Sequence, residues 1–530
     1  MFRAVDAELL DQRLKVVVPV ALARMLKPRE RFLSGVYRRK IALLCINTSY
    51  RVACEVFNEM SLRKERNEEM SLSTLIRDFQ EEGQHVREAK KALCLKILAE
   101  NNINPDTLSY KGEAWPEEWQ EPKDCFLTVT GNDPLPSLID DWNPSNPQMP
   151  GPDIEVGEEE PKCGEKEEKE RVKKIYSEPD TDTFVPKRRR RTTRYEIAPE
   201  DMAWACNGYV DWLNAHIKHD QCKILQPWVL EKDPSRVVYI SIDAVFVDQQ
   251  CEKHVKGGKP EMKLKKDRIS HWNTAIEFDN LRYCITAATR FEAMQQLLAV
   301  LLANQLMDRH FVFFADGEVE IFDDVKSYFG WRVNTLILDW YHVVEKVFQR
   351  LSMAIFHTRV TDPRAPVENY KQKSRQDEEK TKKETSLSVL YARRVCSILW
   401  AGNVEEAIKY LDNIDPKVIK NKEQIDKLID YLNRKKEWIV CYALRKRAGL
   451  RNSSNGSEGA NNELVAQRQK DDDMSWRDEG STSNSNMSCL FANHEETLWF
   501  CHHQVTYTVP DDVRQQAKAE QKRQVHGKIQ

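Results

Sequence analysis

The chain has 530 residues, of which 41% are apolar and 31% charged, and its formal net charge is −3. That length allows two to four domains, and that composition suits a soluble protein with a real core joined by charged segments. No apolar run approaches bilayer-spanning length, and the 13 cysteines are scattered with no CxxC pair, which argues against a membrane protein and a disulfide framework. The near-neutral balance favours no partner class, because a local basic patch can act within it. The first residues lack a signal-peptide pattern, so the expected location is the cytoplasm.

Residues 1–112 read as an all-α N-terminal domain. Val16–Leu26, Lys40–Met60 and Ser71–Leu98 carry apolar residues at mixed three- and four-residue spacings. Gly83 divides the last stretch, which predicts two helices joined by a turn. A DNA-binding helix-turn-helix has that form, and so do many ordinary helical hairpins.

Residues 113–195 read as a linker, rich in proline at first and then in charge. It ends in Lys187, Arg188, Arg189, Arg190 and Arg191, a strong local footprint for phosphates or else a solvated charge run.

Residues 196–361 have the character of an α/β domain. Asp201–His216 predicts a helix. Arg236–Val247, Trp272–Phe278, Arg282–Ala288, Phe311–Ala315 and Val333–Leu338 are apolar, β-branched or aromatic runs that predict strands. Asp279-Asn280 marks a hairpin turn between the second and third. Helices are expected over Phe291–Met307, Glu318–Phe329 and Tyr341–Phe356. Three strands, then helix, strand, helix, strand, helix is the order of a ribonuclease-H-like mixed sheet. A polar, lysine-bearing loop fills 248–270 and includes Lys253, Lys256, Lys263, Lys265, Lys266 and Arg268.

Residues 362–450 read as a charged loop followed by a helical insertion. Residues 451–480 complete the catalytic domain, with a helix starting near Ser457 and running through Lys470. Residues 481–530 read as a polar C-terminal tail, ordered only over Leu498–Val509.

Three of the strands stop near an aspartate: Asp243, Asp316 and Asp339. A carboxylate at the end of a buried strand is costly unless an ion or hydrogen bonds compensate it. Carboxylates converging from neighbouring strand ends suit hard, oxygen-preferring ions such as Mg²⁺ or Mn²⁺. Glu458, opening a helix after the insertion, is the best candidate for a third acid. Each acid also has an ordinary reading, as a turn residue or as a first-turn glutamate favoured by the helix dipole. Cys251-Glu-Lys-His254 and Cys501-His502-His503 hold zinc-ligand residue types without a matching second pair, so no zinc site is expected. Trp212, Trp272, Trp340 and Trp476 read as core, although Trp476 could instead stack on an extruded base.

The ordered segments Ser241-Ile-Asp243, Ala315-Asp316-Gly317, Leu338-Asp339-Trp-Tyr-His342 and Ser457-Glu458-Gly through Lys470, with Met474-Ser-Trp476, resemble bacterial insertion-sequence transposases of the DDE type, in the broad Mutator-related grouping. The resemblance covers residues 200–480. It implies Asp243, Asp316 and Glu458 as a catalytic triad holding two Mg²⁺ or Mn²⁺ ions, with Asp339 and His342 as auxiliary residues; Asp339 is an alternative to Asp316 as second ligand. It further implies strand cleavage and strand transfer at element ends, double-stranded DNA as partner, a homodimer or larger assembly, no membrane, and a nucleoid-associated cytoplasmic location. Lys187 to Arg191, Lys265, Lys266, Arg268, Gln467, Arg468 and Lys470 are the expected DNA contacts. The competing expectations are a catalytically inactive DNA-binding derivative and a nuclease of the same fold that cuts without joining.

Overall fold

The computed structural model describes residues 2–9, 12–19, 32–33, 35–60, 69–120, 126–129, 222–225, 231–317 without 232 and 250–267, 319–361 without 333, 384–447, 450–453, 459–470, 476–511 and 513–515. Asp201–His216, most of the 113–195 stretch including Lys187–Arg191, most of the 248–270 loop including Lys265 and Lys266, most of the 362–386 charged run, Ser457 and Glu458 lie outside the described residues, as does Trp212.

The N-terminal region is not all-α. Strands β1 (Phe2–Leu9), β2 (Gln12–Pro19) and β3 (Phe32–Leu33) form a three-stranded sheet in the order β2-β1-β3. β2 overlaps the helix expected from Val16. Its Val16-Val17-Val18 run is β-branched, and such side chains suit a strand better than a helix.

Helices α1 (Gly35–Asn47), α2 (Tyr50–Met60) and α3 (Leu72–Glu100) follow. α3 is one continuous helix, capped by the Ser71 hydroxyl accepting from the Thr74 amide at 3.2 Å. Gly83 therefore makes no turn. Its missing side chain instead admits another helix, since a Cβ there would lie 2.6 Å from Cβ of Ser483. The two-helix expectation for 71–98, and the helix-turn-helix built on it, is corrected accordingly.

Beyond α3, Trp115 stacks on Trp331 with centroids 4.0 Å apart, and Arg332 donates to the carbonyl of Trp119 at 3.0 Å. The start of the expected linker is thus docked on the α/β domain. Short ladders form between β4 (Phe126–Val129) and β5 (Cys222–Leu225).

The central sheet has five strands: β6 (Val237–Asp248), β7 (Arg268–Phe278), β8 (Leu281–Ala287), β9 (His310–Ala315) and β10 (Thr335–Leu338). Their order is β10-β9-β6-β7-β8. β6–β7 and β7–β8 are antiparallel, while β6–β9 and β9–β10 are parallel, so the sheet is mixed. The β7–β8 turn works because Asp279 and Asn280 both adopt positive φ, 50° and 61°, the backbone a tight two-residue hairpin needs. α4 (Arg290–Ala303), α5 (Val319–Phe329) and α6 (Trp340–Ala354) make the parallel crossovers and the exit from β10. β9 is buried at every position, as a central strand covered on both faces must be.

After the short β11 (Arg359–Thr361) and β12 (Glu384–Ser386), the insertion folds as α7 (Leu387–Trp400), α8 (Val404–Asp412), α9 (Lys422–Lys435) and α10 (Tyr442–Arg447). It shares one hydrophobic core with the sheet. A buried bidentate pair, Arg445 to Glu231 at 2.8 Å twice, ties its last helix to the residues before β6.

The described part of the expected tail is packed into the fold. α11 (Asp478–Ala492) and α12 (Glu496–His502) pack with α1–α3 in a second core that includes Met487, Leu490, Trp499 and Phe500. α11 buries Ser481, Ser483, Asn484 and Ser485 completely. Small polar side chains let helices approach closely, and their hydroxyls are hydrogen-bonded: Ser483 to the Gln80 carbonyl at 2.9 Å, Ser481 to Gln469 Oε1 at 2.5 Å, Ser485 to the Ser481 carbonyl at 3.1 Å. α3 spans both cores, with Leu75, Phe79 and Val86 in one and Cys94 and Leu98 in the other.

Candidate functional site

β6 carries Asp243 opposite Asn273 of β7 on one side. On the other side Ile242 is in register with Ala315, the last residue of β9, so the parallel register carries Asp243 and Asp316 to adjacent positions of neighbouring strands. The two strands end their pairing there, and Asp316 sits in the bend that leaves β9. Both aspartates are half-buried.

Asp243 is held by neighbours. Its Oδ1 accepts the Ala244 amide at 2.7 Å, and its Oδ2 accepts the side-chain amide of Asn461. Asn461 in turn accepts from Asn273 at 2.9 Å. Asn461 and Asn273 are both buried, so the relay fixes the carboxylate against a rigid strand pair. Asn461 lies in a helical run over 459–469 that contains a π-helical stretch, Asn462–Ala466. Glu458 precedes Gly459, the first described residue of that run.

The turn after Asp316 requires glycine. Gly317 has φ +99°, and a Cβ there would meet Leu338 Cδ1 at 2.7 Å. Helix α9 reaches this turn from the insertion. Lys435 donates to the Gly317 carbonyl, and the Tyr431 hydroxyl lies 3.5 Å from where the added Cβ would stand. Burial raises the Tyr431 phenol, and the charges of Asp316 and Asp339 raise it further. Sequence reasoning missed Lys435, which stands in an Arg434-Lys-Lys run that looks solvated. The available signal was spacing: Ile425, Leu428, Leu432 and Lys435 recur at three and four residues and are the buried face of α9.

Asp339 occupies a different position. It is 3% exposed, caps α6 by accepting the Tyr341 amide at 2.8 Å, and its own amide donates to the Ala315 carbonyl at 3.0 Å. The adjacent Leu338 carbonyl accepts the Tyr442 hydroxyl at 2.7 Å. His342 is on the first turn of α6, half-buried, 3.9 Å from Glu345. Among the described residues no three His, Cys, Asp or Glu side chains gather as a metal site. Burial pushes the Cys94 and Cys284 thiols up to about 12, so neither supplies a thiolate nucleophile near neutral pH.

The expected DNA contacts separate into classes. Gln467 and Lys470 are exposed, and Arg268 is exposed beside Asp248 at 3.6 Å. Arg468 is only 7% exposed. Its Nε donates to the Cys45 carbonyl at 3.1 Å, and its guanidinium lies over Tyr50 and Trp476, 5.3 and 4.8 Å from the ring centroids. It is a packing residue joining α1 and α2 to the 459–469 run, and its expected place on a DNA-facing surface is corrected. Trp476 is 6% exposed and donates to the Gln469 carbonyl at 3.2 Å, so it is core and not a stacking platform.

No helix among the described residues is long and apolar enough to cross a membrane. No protein-family model, curated protein or solved structure matches the chain.

Proposed function

We propose that the chain is a DDE-type DNA transposase that cuts a strand at an element end and joins the freed 3′-hydroxyl to target DNA. The observation that carries this reading is the β6–β9 register, which brings Asp243 and Asp316 to adjacent positions, with Asn461, three residues after Glu458 in sequence, bonded to Asp243. The sheet order, with two antiparallel and two parallel junctions, supports a ribonuclease-H-like architecture. The burial of Asp339 in its capping role favours Asp316 as the second acid.

The donor set fits hard cations: two half-buried carboxylates, Asp243 within β6 where its pairing with β9 ends and Asp316 in the bend that leaves β9. Two Mg²⁺ or Mn²⁺ ions held by Asp243, Asp316 and Glu458 would activate the attacking oxygen and stabilise the leaving one. The protein's own part is orientation. Asn461 and the Ala244 amide aim the Asp243 carboxylate, and the Gly317 turn aims Asp316. Lys470, Gln467 and Arg268, with the basic run Lys187–Arg191 and the loop lysines Lys265 and Lys266, are the groups proposed to meet phosphates. Two element ends must be held together, so the working form is a homodimer or larger assembly, associated with DNA in the cytoplasm.

The test is cleavage and strand transfer by the full chain on DNA carrying the sequences that flank its own coding region, with Mg²⁺ or Mn²⁺. D243N, D316N and E458Q each abolish both steps while D339N retains them. Persistence of cleavage in D243N and E458Q overturns the assignment. A second reading, a DNA-binding derivative without catalysis, is favoured by one observation: both oxygens of Asp243 already accept protein donors. It prevails if the wild-type chain binds these ends and never cleaves them; cutting without joining would mark a nuclease.

A further inference from the structure

The helical insertion is usually the easiest part of a split domain to regard as separable, yet α9 ends directly on the turn that carries Asp316. Lys435 is 3% exposed, and its ammonium donates to the Gly317 carbonyl and stands 4.9 Å from the centroid of the Trp438 ring. Burying an ammonium is costly unless it is compensated, so a lysine at this position is held there by what it contacts. One turn earlier Tyr431 reaches the same place: a Cβ on Gly317 would lie 3.5 Å from its hydroxyl and 3.9 Å from Cε of Lys435. On the far side the turn is closed by Leu338 of β10, whose carbonyl accepts the Tyr442 hydroxyl from α10. Helix α9 therefore touches the Asp316-Gly317 bend directly, and α10 holds the Leu338 residue that packs on its other side.

We propose that Lys435, assisted by Tyr431, is a positioning residue that locks the Asp316-Gly317 turn to the insertion, making the insertion a working part of the acidic site. The role of the turn as a cation-binding element rests on the function proposed above; the clamp itself does not. Gly317 has no side chain to hold its own position, and the Lys435 ammonium on its carbonyl is an anchor from outside the turn, of the kind that orders a functional carboxylate.

The test uses the full chain and three variants, K435M, K435R and Y431F. Hydrogen–deuterium exchange read by mass spectrometry reports the peptide spanning 311–322, and electron paramagnetic resonance titration with Mn²⁺ alone reports cation binding. K435M speeds exchange in that peptide at least about ten-fold, leaves the β7–β8 hairpin unchanged, and weakens Mn²⁺ binding about ten-fold. K435R restores both readouts most of the way, which a merely space-filling role would not predict, and Y431F gives a smaller shift in the same direction. If K435M does not fold, K435Q replaces it with the same readouts. Unchanged exchange at 311–322 in the folded methionine or glutamine variant overturns the proposal even where the wild type binds Mn²⁺. Faster exchange in a protein whose wild type binds no Mn²⁺ upholds the clamp and removes the cation-site reading instead.

Discussion

Asn461 donates its side-chain amide to Asp243 Oδ2 across 218 positions of sequence, and accepts from Asn273 on the neighbouring strand. This one side chain fastens the 459–469 run to the β6–β7 pair at the position of the candidate catalytic acid. Replacing it by alanine leaves a buried Asn273 amide without its acceptor, a loss worth about 1–3 kcal/mol. Urea unfolding of N461A should show that destabilisation, with an unchanged m-value because the exposed surface is the same. A loss under about 0.5 kcal/mol would mean that water replaces the bond and that the relay is not rigid.

Gly83 offers a test of the continuous α3. Alanine normally favours a helix interior over glycine by about 1 kcal/mol. Here its Cβ would press on Ser483 Cβ and backbone at 2.6–2.7 Å, so α3 and α11 must move apart. Overpacking of this kind costs about 1–3 kcal/mol and outweighs the helix gain. G83A is therefore expected to lower the thermal midpoint, and adding S483G not to recover it, because the Cα and carbonyl oxygen of residue 483 still lie 2.7 Å from the new Cβ. A stabilised G83A would mean the two helices do not meet there.

The contrast between the sheet and the flanking helices explains what sequence could reveal. The five strands of the sheet were legible because each is a short apolar run ended by a polar or turn residue, and Asp279-Asn280 has the chemistry of a tight hairpin. The insertion helices were legible for the same reason, an apolar stripe at helical spacing. The N-terminal strands were not, because Val16-Val17-Val18 sits in a stretch whose apolar spacing also fits a helix. α11 was invisible for a deeper reason: its buried face is serine and asparagine, and what makes that face stable is contact with Gln469 and with Gly83 and Gln80, the last two far away in sequence. At the site, the apolar run before Asp243 reads as a strand ending there, but β6 continues to Asp248 because its later residues pair with β7; the capping role of Asp339 needed the fold. Arg468 could not be distinguished from Lys470 in sequence, since burial is decided by Tyr50 and Trp476.

That distinction is measurable in DNA binding. Lys470 is exposed and Arg468 is buried. If DNA runs along this face, K470A should reduce the slope of log affinity against log salt by about 1, the signature of one lost phosphate contact. R468M should leave the slope unchanged and instead lower stability, because it removes a hydrogen bond to the Cys45 carbonyl and two ring contacts. Fluorescence anisotropy over a salt series, paired with thermal melts, separates the two. A reduced slope in a fully stable R468M would place its guanidinium on the DNA.

Acid should weaken the fold through a buried histidine. His271 of β7 is 2% exposed and bonds Ser481 of α11 at 2.7 Å. Burial, reinforced by the positive charge of Arg87, lowers its pKa from the usual histidine value to about 4. In the unfolded chain it takes a proton near pH 6.5, whereas the folded chain resists protonation until about pH 4. Between those values the unfolded state binds more protons, so stability is fully present above pH 6.5 and declines as pH falls towards 4. The shift corresponds to about 3 kcal/mol at most. His310, buried against Thr335 and lowered to about 3 by burial and then Arg332, adds in the same direction and extends the decline to lower pH. The H271Q variant, with a side chain that does not titrate, should show a shallower loss of denaturation midpoint between pH 6.5 and 4 than the wild type. Identical slopes in the two proteins would mean that His271 is protonated in the folded state.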